Sequence, residues 1–467
     1  MMNAMDLRTC KRKNIIVYII YSVLLMHFVF KAFFYYSELD NAPDVVAHLS
    51  YIYYEYQHPY ELIPNFKEIP MLNLDFTGDK AYITEQTSNI CYLGHPPLYY
   101  KLMAFTGCVK QDGSGIYFDL LRICIINISI VCLGLIVCLE YGRQKIQATG
   151  DYFMSHLLFA TIVTNVPLIP YLAGYATNDN LLYLALGITM WGLEWGIRGK
   201  RDYRTYWTIA LGLCMAVLTK LTLGLILLIA TVFVAVCVML KERSVKLLAC
   251  KQFGSTLILY AIPCVYFAHQ KIVYNSVQPG LSSLSPETYK QSIWAVPSGI
   301  TRTIGESVSY YWEGFWRTWT NVYSHFISHD KSGTFANVIY GIFAGSFILF
   351  TFYYVYKLLR AKDINEQLVL VAVNVGALLA MLYQFLPKIK SYMNGGGAGF
   401  SARYYVCCIG VFALSATLPL NTILSKKGIG RRASFILQMV TGLMVLGWIY
   451  YDFIYFLTSF SMYRELL

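Results

Sequence analysis

The sequence predicts an all-α polytopic membrane protein with about eleven transmembrane helices. Three observations predict it. Of 467 residues, 57% are hydrophobic and only 13% charged, with a mean hydropathy of +0.49; a soluble chain carries about 25% charged residues. Apolar runs of spanning length recur along the whole chain. The short segments between them alternate between basic-rich and basic-poor, as in the positive-inside asymmetry of membrane proteins.

The elements follow in order. Arg8, Lys11, Arg12 and Lys13 precede the first run, 14–36. It is too long for the core of a signal peptide and no small-residue cleavage site follows, so it reads as an uncleaved first helix. The other runs are 117–140, 153–173, 180–197, 205–219, 221–240, 253–270, 336–356, 367–386, 403–422 and 434–456. With the N-terminus cytoplasmic, the inside loops hold about 21 of the 37 basic residues, among them Arg143, Lys200, Lys246, Arg360 and Arg432. The C-terminus then lies on the extracytoplasmic side. Most of the net charge of +11 follows from this topology, and nothing in it calls for nucleic acid.

The chain reads as one integral-membrane domain, 1–467, with three outside loops. Loop 37–116 and loop 271–335 are large, and short interfacial helices are expected in both. Loop 387–402 is Gly-rich. Long loops on one side suggest that the chemistry is there, with loop 37–116 as its catalytic part. Many of the 40 Tyr lie near span ends, as in an interfacial belt. No internal or inverted repeat is evident. The twelve Cys form no metal or redox spacing and most sit in apolar runs. Cys91 and Cys108 share the first loop and could pair, though no spacing indicates it.

Several polar residues stand at the outside ends of the spans. In Asp40-Asn41-Ala42-Pro43-Asp44-Val45-Val46-Ala47-His48, Asn41 could cap a short helix with Asp44 in its first turn. His48, four residues on, would then share a face with Asp44. Ionisable groups at a membrane edge are equally candidates for function. His95, in Gly94-His95-Pro96-Pro97-Leu98-Tyr99-Tyr100, precedes a loop-to-helix hinge. In Thr177-Asn178-Asp179-Asn180, Thr177 or Asn178 could cap the fourth span, with Asp179 in its first turn. Lys220 occupies a tight turn between two apolar runs. It could snorkel, or meet an anionic head group. Arg403 runs against the positive-inside trend; its fork suits phosphate, and a snorkelling Arg is the other reading. Trp312, in Ser309-Tyr310-Tyr311-Trp312-Glu313-Gly314-Phe315-Trp316-Arg317, could stack on a sugar ring or lie in the interface.

Taken in order, Pro-Asp-x-x-x-His, His-Pro-Pro-Leu-Tyr-Tyr, Asn-Asp, Lys220 and Ala-Arg-Tyr-Tyr resemble the GT-C superfamily of membrane glycosyltransferases. The likeness runs from about 14 to 422 and is nearest the bacterial branch with a Pro-Asp-Glu-x-x-His signature. It implies a GT-C-like fold and a multi-pass protein of a bacterial cell membrane. The activity implied is inverting transfer of a sugar from a polyprenyl-phosphate donor to a cell-envelope glycan, lipid or protein acceptor. By the same likeness Asp44 is the base, His48 and Asp179 complete the catalytic group, and Arg403, Lys220 and His95 face the donor phosphate. Asp40, Tyr99, Trp312 and Tyr404 are expected around the acceptor or sugar. The family's Glu after the Asp is Val45 here, and Ala402 replaces a Gly before Arg403. No cofactor is implied, and a divalent cation is left open. Two other classes fit the topology. A polymerase or ligase of lipid-linked oligosaccharides would rest on Arg rather than Asp. A transporter of lipid-linked sugars would place polar groups at mid-membrane depth in several spans.

Overall fold

In the computed structural model of the chain, residues 4–36, 44–291, 301–310, 334–361, 367–394, 402–425 and 430–464 are described. They are mostly helical. Helix α1 (Ala4–Tyr36) leads towards α2 (Val45–Gln57), a short helix buried along most of its length. Two hairpins follow, β1 (Pro70–Thr77) with β2 (Lys80–Ile90) and, beyond α3 (Leu98–Phe105), β3 (Val109–Asp112) with β4 (Gly115–Asp119). Together they form one antiparallel sheet in the order β1-β2-β4-β3.

This sheet departs from the expectation of short helices alone in the first loop. β3 and β4 are short, and the longer β1 and β2, of 8 and 11 residues, are half-polar, so they do not stand out from loop composition. The clearest signal is the turn Thr77-Gly78-Asp79-Lys80, where Gly78 takes a φ of 57° that L-residues rarely adopt. The sheet is pinned onto α2, because Leu72 N–H donates to Ser50 Oγ (3.1 Å), which itself donates to Val46 O (2.7 Å). At its other end Tyr36 Oη donates to Asp79 (2.7 Å), tying the hairpin to the end of α1.

Helix α4 (Leu120–Thr149) starts where β4 stops, capped by the Asp119 carboxylate on Arg122 N–H. Next come α5 (Phe153–Thr164) and α6 (Leu168–Gly174), bent by 46° at Asn165-Val166-Pro167. Pro167 has no N–H to carry the helix through. Then follow α7 (Asp179–Ile197), α8 (Tyr203–Val217), α9 (Leu221–Glu242) and α10 (Lys251–Tyr274). The second loop contributes α11 (Leu281–Leu284), α12 (Pro286–Gln291) and α13, described over 304–310. The chain ends with α14 (Thr334–Ala361), α15 (Leu368–Met393), a 3₁₀ stretch Ala402–Cys408 running into α16 (Ile409–Ser425), and α17 (Arg431–Arg464).

The eleven expected spans are helical along most of their length, although 117–140 begins in β4 and 153–173 is broken between α5 and α6. Among the described residues, seven helices are long and apolar enough to cross a membrane: Asn14–Tyr36, Leu120–Thr149, Leu221–Glu242, Lys251–Tyr274, Leu368–Met393, Ala402–Ser425 and Arg432–Tyr450. The bent α5–α6 pair would make an eighth. The count of eleven is therefore not reached. One reason is plain in α8, whose 15 residues rise only about 22 Å against a hydrocarbon core of about 30 Å. Helix α15 also runs on to Met393, through the first part of the segment expected as the Gly-rich loop.

The core centres on the Ala402–Ser425 segment, 72% of whose most apolar stretch is buried, against 22% for Lys251–Tyr274 at the periphery. Helix α4 packs on α7, and α9 on α15. A buried ion pair, Lys31 Nζ to Asp452 Oδ2 at 2.5 Å, joins α1 to α17. Trp448 Nε1 beside it donates to Asn165 O at the α5–α6 break (3.1 Å).

Candidate active site

The α2 end of the bundle gathers charges from four distant segments. Asp44 is the residue before α2, with φ 62° and ψ 7°, in the left-handed region. Asp tolerates that region better than most residues. Its side chain makes no cap, contrary to the expected first-turn role; the helix starts one residue later, and His48 N–H bonds Asp44 O (2.9 Å). The freed carboxylate turns to Tyr92 and Arg403. Tyr92 Oη donates to Oδ1 (2.6 Å) and Arg403 Nη1 to Oδ2 (3.1 Å). Burial and the Asp44 charge hold the Tyr92 phenol above its ordinary range, so it stays a donor.

Arg403, in the 3₁₀ stretch before α16, spreads its fork over three groups. Nε donates to Asp179 Oδ2 (2.7 Å), Nη1 to Asp44, and Nη2 to Thr177 Oγ1 (3.0 Å). Asp179, the first residue of α7, also pairs through Oδ1 with the Lys220 ammonium. Lys220 is the residue before α9. Neither basic residue snorkels: the side chains of Arg403 and Lys220 are 9% and 4% exposed, and that of Asp179 is 1% exposed. Asp44, at 24%, is the open member. Such buried charges persist only when each is matched, and here every charge faces an opposite one.

The backbone brings these segments together through specific bonds. Leu98 N–H donates to Leu218 O (3.1 Å), fastening the His95-Pro96-Pro97 hinge to the turn that carries Lys220. Asn178 Nδ2 donates to Thr219 O (2.9 Å), drawing the start of α7 to the same turn. Asn178 thus bonds across elements instead of capping, while Thr177 Oγ1 accepts the Asp179 N–H at the start of α7 (3.4 Å). Tyr99 is fully buried, its hydroxyl held between Asn127 Oδ1 and Thr177 N–H, both at 3.1 Å. Tyr99, expected near the acceptor or sugar, has its hydroxyl on the Thr177 backbone.

His48 and His95 stack nearly parallel beside the charges, ring centroids 6.5 Å apart. His48 Nδ1 meets Tyr100 Oη (3.0 Å), while its buried Nε2 has no hydrogen-bond partner. Burial, then the Arg403 charge, keeps His48 well below its ordinary range. Loss of water, then the Lys220 and Arg403 cations, pushes His95 down to about 3. Both rings are neutral near pH 7. His95 Nδ1 also meets Gln278 Nε2 (3.2 Å), so the segment after α10 covers the site. It lies so close that a Cβ on Gly94 would fall 1.6 Å from Pro279 O. Tyr404 presents its ring to Lys220, with Nζ 4.7 Å from the centroid.

Asp44, His48, His95, Asp179, Lys220, Arg403 and Tyr404 thus meet in one place. Asp40 and Trp312 lie outside the described residues. Among the described residues no group of three or more His, Cys, Asp and Glu is placed to hold a metal ion. Both carboxylates face the Arg403 guanidinium where a second cation would have to sit, so these residues do not fit a divalent ion. Cys91 and Cys108 are free, buried thiols.

No protein-family profile matches the chain, and no curated protein does. Among solved structures, one match is the crystal structure of ArnT from Cupriavidus metallidurans bound to undecaprenyl phosphate, at 13% identity and a TM-score of 0.45. The match covers 91% of this chain and 63% of that one, so the chain spans less than two thirds of its length. At this score the likeness establishes neither fold nor function.

Sequence reasoning missed Tyr92, Tyr100, Gln278 and Lys388. Tyr92 was within reach, three residues before the singled-out His95. Lys388 Nζ stands 5.0 Å from the Tyr404 ring centroid. It is one Lys among several near the end of a span, and only the packing distinguishes it.

Proposed function

We propose that this chain is an inverting glycosyltransferase of the GT-C kind, moving a sugar from a polyprenyl-phosphate donor to a cell-envelope glycan, lipid or protein acceptor on the extracytoplasmic face. The observation that carries this reading is the Arg403 fork shared between a buried carboxylate, Asp179, and an open one, Asp44. Asp179 has both oxygens engaged and no exposed surface to offer, so it serves to orient Arg403 and Lys220. Asp44 is the carboxylate an acceptor hydroxyl can reach.

On this reading the donor phosphate draws the Nη1 edge of Arg403 away from Asp44, leaving that carboxylate for the acceptor. The acceptor oxygen attacks the anomeric carbon from the face opposite the phosphate. The carbon–oxygen bond to phosphate breaks with its electron pair leaving on the phosphate, and the hydroxyl proton passes to Asp44. The configuration inverts. Preorganised cations on the leaving phosphate are the largest contribution of such a site. General-base assistance adds roughly 10²–10⁴-fold. His48 and His95, neutral and stacked, line the pocket and give up no proton near pH 7.

The test is transfer and donor hydrolysis from a panel of short-chain polyprenyl-phosphate sugars by wild type and Asp44→Asn. The variant is expected to bind donor and to lose about 10²-fold or more of turnover. Full activity in Asp44→Asn would remove Asp44 as base, and failure of the wild type to bind any such donor would overturn the reading.

A further inference from the structure

Away from the charged cluster, α14 packs on α16, with the rings of Phe347 and Phe412 in contact at a centroid distance of 4.5 Å. A cavity of about 410 Å³ opens between the two helices, inside the range of roughly 300–1,000 Å³ that holds small ligands. Its α14 wall is a single helical face, Ser346, Phe350, Tyr354 and Lys357. On α16 the side chain of Ala416 is too small to fill the space opposite, and Pro419 forgoes one rung of the helical ladder. The cavity is apolar along its length and basic at one end. There the Lys357 ammonium stands 5.7 and 5.9 Å from the ring centroids of Tyr353 and Tyr354, which hold it at the rim. No Asp or Glu is among the described residues that line it. Arg360, over the Tyr356 ring at 4.9 Å, adds a second positive charge nearby.

Lys357 and Thr422 lie equally far along their helices from the Phe347–Phe412 contact, so they mark the same end of the cavity. Arg403 stands before the other end of α16. From Arg403 to Thr422 the chain rises roughly 30 Å, about the thickness of the hydrocarbon core. The basic end of the cavity and the charged cluster therefore face opposite membrane surfaces. We infer that this cavity binds an anionic phospholipid, with an acyl chain between α14 and α16 and the phosphate at Lys357. A free phosphate would leave the apolar length of the cavity unfilled, and a lipid without net charge would leave the Lys357 charge unmatched. Basic pockets between membrane helices take acidic head groups for this reason. The site is independent of the glycosyltransferase reading, since it shares no residue with the cluster and lies at the other end of the bundle.

The experiment titrates the purified, delipidated full chain in detergent with phosphatidylglycerol and with phosphatidylcholine of the same acyl chains, and reads the first bound lipid by native mass spectrometry. Wild type, Lys357→Gln, Lys357→Arg and Ala416→Phe are compared. Wild type is expected to prefer phosphatidylglycerol. Lys357→Gln should weaken phosphatidylglycerol binding roughly fivefold, from about 1 kcal/mol per basic residue, and leave phosphatidylcholine unchanged. Lys357→Arg should keep the preference, and Ala416→Phe, which fills the cavity, should lose the first bound lipid of either kind. Equal affinity for the two lipids in wild type, or the same preference in Lys357→Gln, would overturn the assignment. So would lipid binding in Ala416→Phe equal to wild type, by placing the lipid elsewhere on the surface. Competition by glycerol phosphate as strong as by the intact lipid would also overturn it, by showing an anion site without a chain groove. Lys357 is exposed, so its two variants leave the packing in place and decide the matter even where Ala416→Phe does not fold.

Discussion

Arg403 is the side chain on which the site depends, because it links two carboxylates that could not otherwise lie close together. Removing it leaves Asp44 without its cation and Asp179 with Lys220 alone. Breaking a buried ion pair from one side costs about 3–5 kcal/mol. Arg403→Ala should therefore lower the thermal midpoint in detergent as well as abolish activity, and an unchanged midpoint would show that the network contributes no net stability. The two histidines carry a second prediction. His95 is pushed from 6.5 to about 3 in the fold, and His48 is lowered too. The unfolded chain takes up these protons first, so their contribution to stability is whole above about pH 6.5 and is lost as the pH falls towards 3. Thermal stability should decline over that window, and less so in His95→Gln. A His95→Gln profile parallel to wild type would contradict the assignment.

At the scale of elements, the α1–α17 contact shows how a charged pair can serve as a fastener. Lys31 and Asp452 are 1% and 2% exposed, and His27 of α1 approaches the same Asp452 oxygen (3.7 Å). Lys31→Met alone should destabilise the protein strongly. Lys31→Met with Asp452→Leu should be near neutral, since a well-packed apolar pair often equals or exceeds a buried ion pair. Thermal unfolding of the three proteins decides it, and additive losses would mean the pair has no mutual dependence. The sequence made the helices legible because apolar length and basic flanks are written locally. It also marked Asp44, His48, His95, Asp179, Lys220 and Arg403, since each stands where an apolar run meets polar residues. It did not show the sheet, whose longer strands β1 and β2 are too polar to rise above loop composition. Nor could it show Lys388 or the Lys31–Asp452 pair, whose meaning arises only from the partner each meets far along the chain.

For the molecule as a whole, orientation is the property most open to direct test. The topology expected from the basic loops has the first long loop outside. A protease site inserted beside Tyr60, which is 95% exposed, should be cut in intact cells, and one beside Gly199 only after lysis. The opposite pattern would put the charged cluster on the cytoplasmic side and exclude an extracytoplasmic acceptor.

Asp44 and Arg403 are 359 positions apart. At about 5–20 residues per second, synthesis separates them by roughly 20–70 s. Through that interval the growing chain already exposes the first loop but lacks the guanidinium that joins its carboxylates. The cluster closes only when the penultimate long helix is inserted. If the proposed transfer is the function of this site, a chain made only as far as Asp179 has no means of carrying it out, and the order of translation itself holds the activity back until Arg403 has been made.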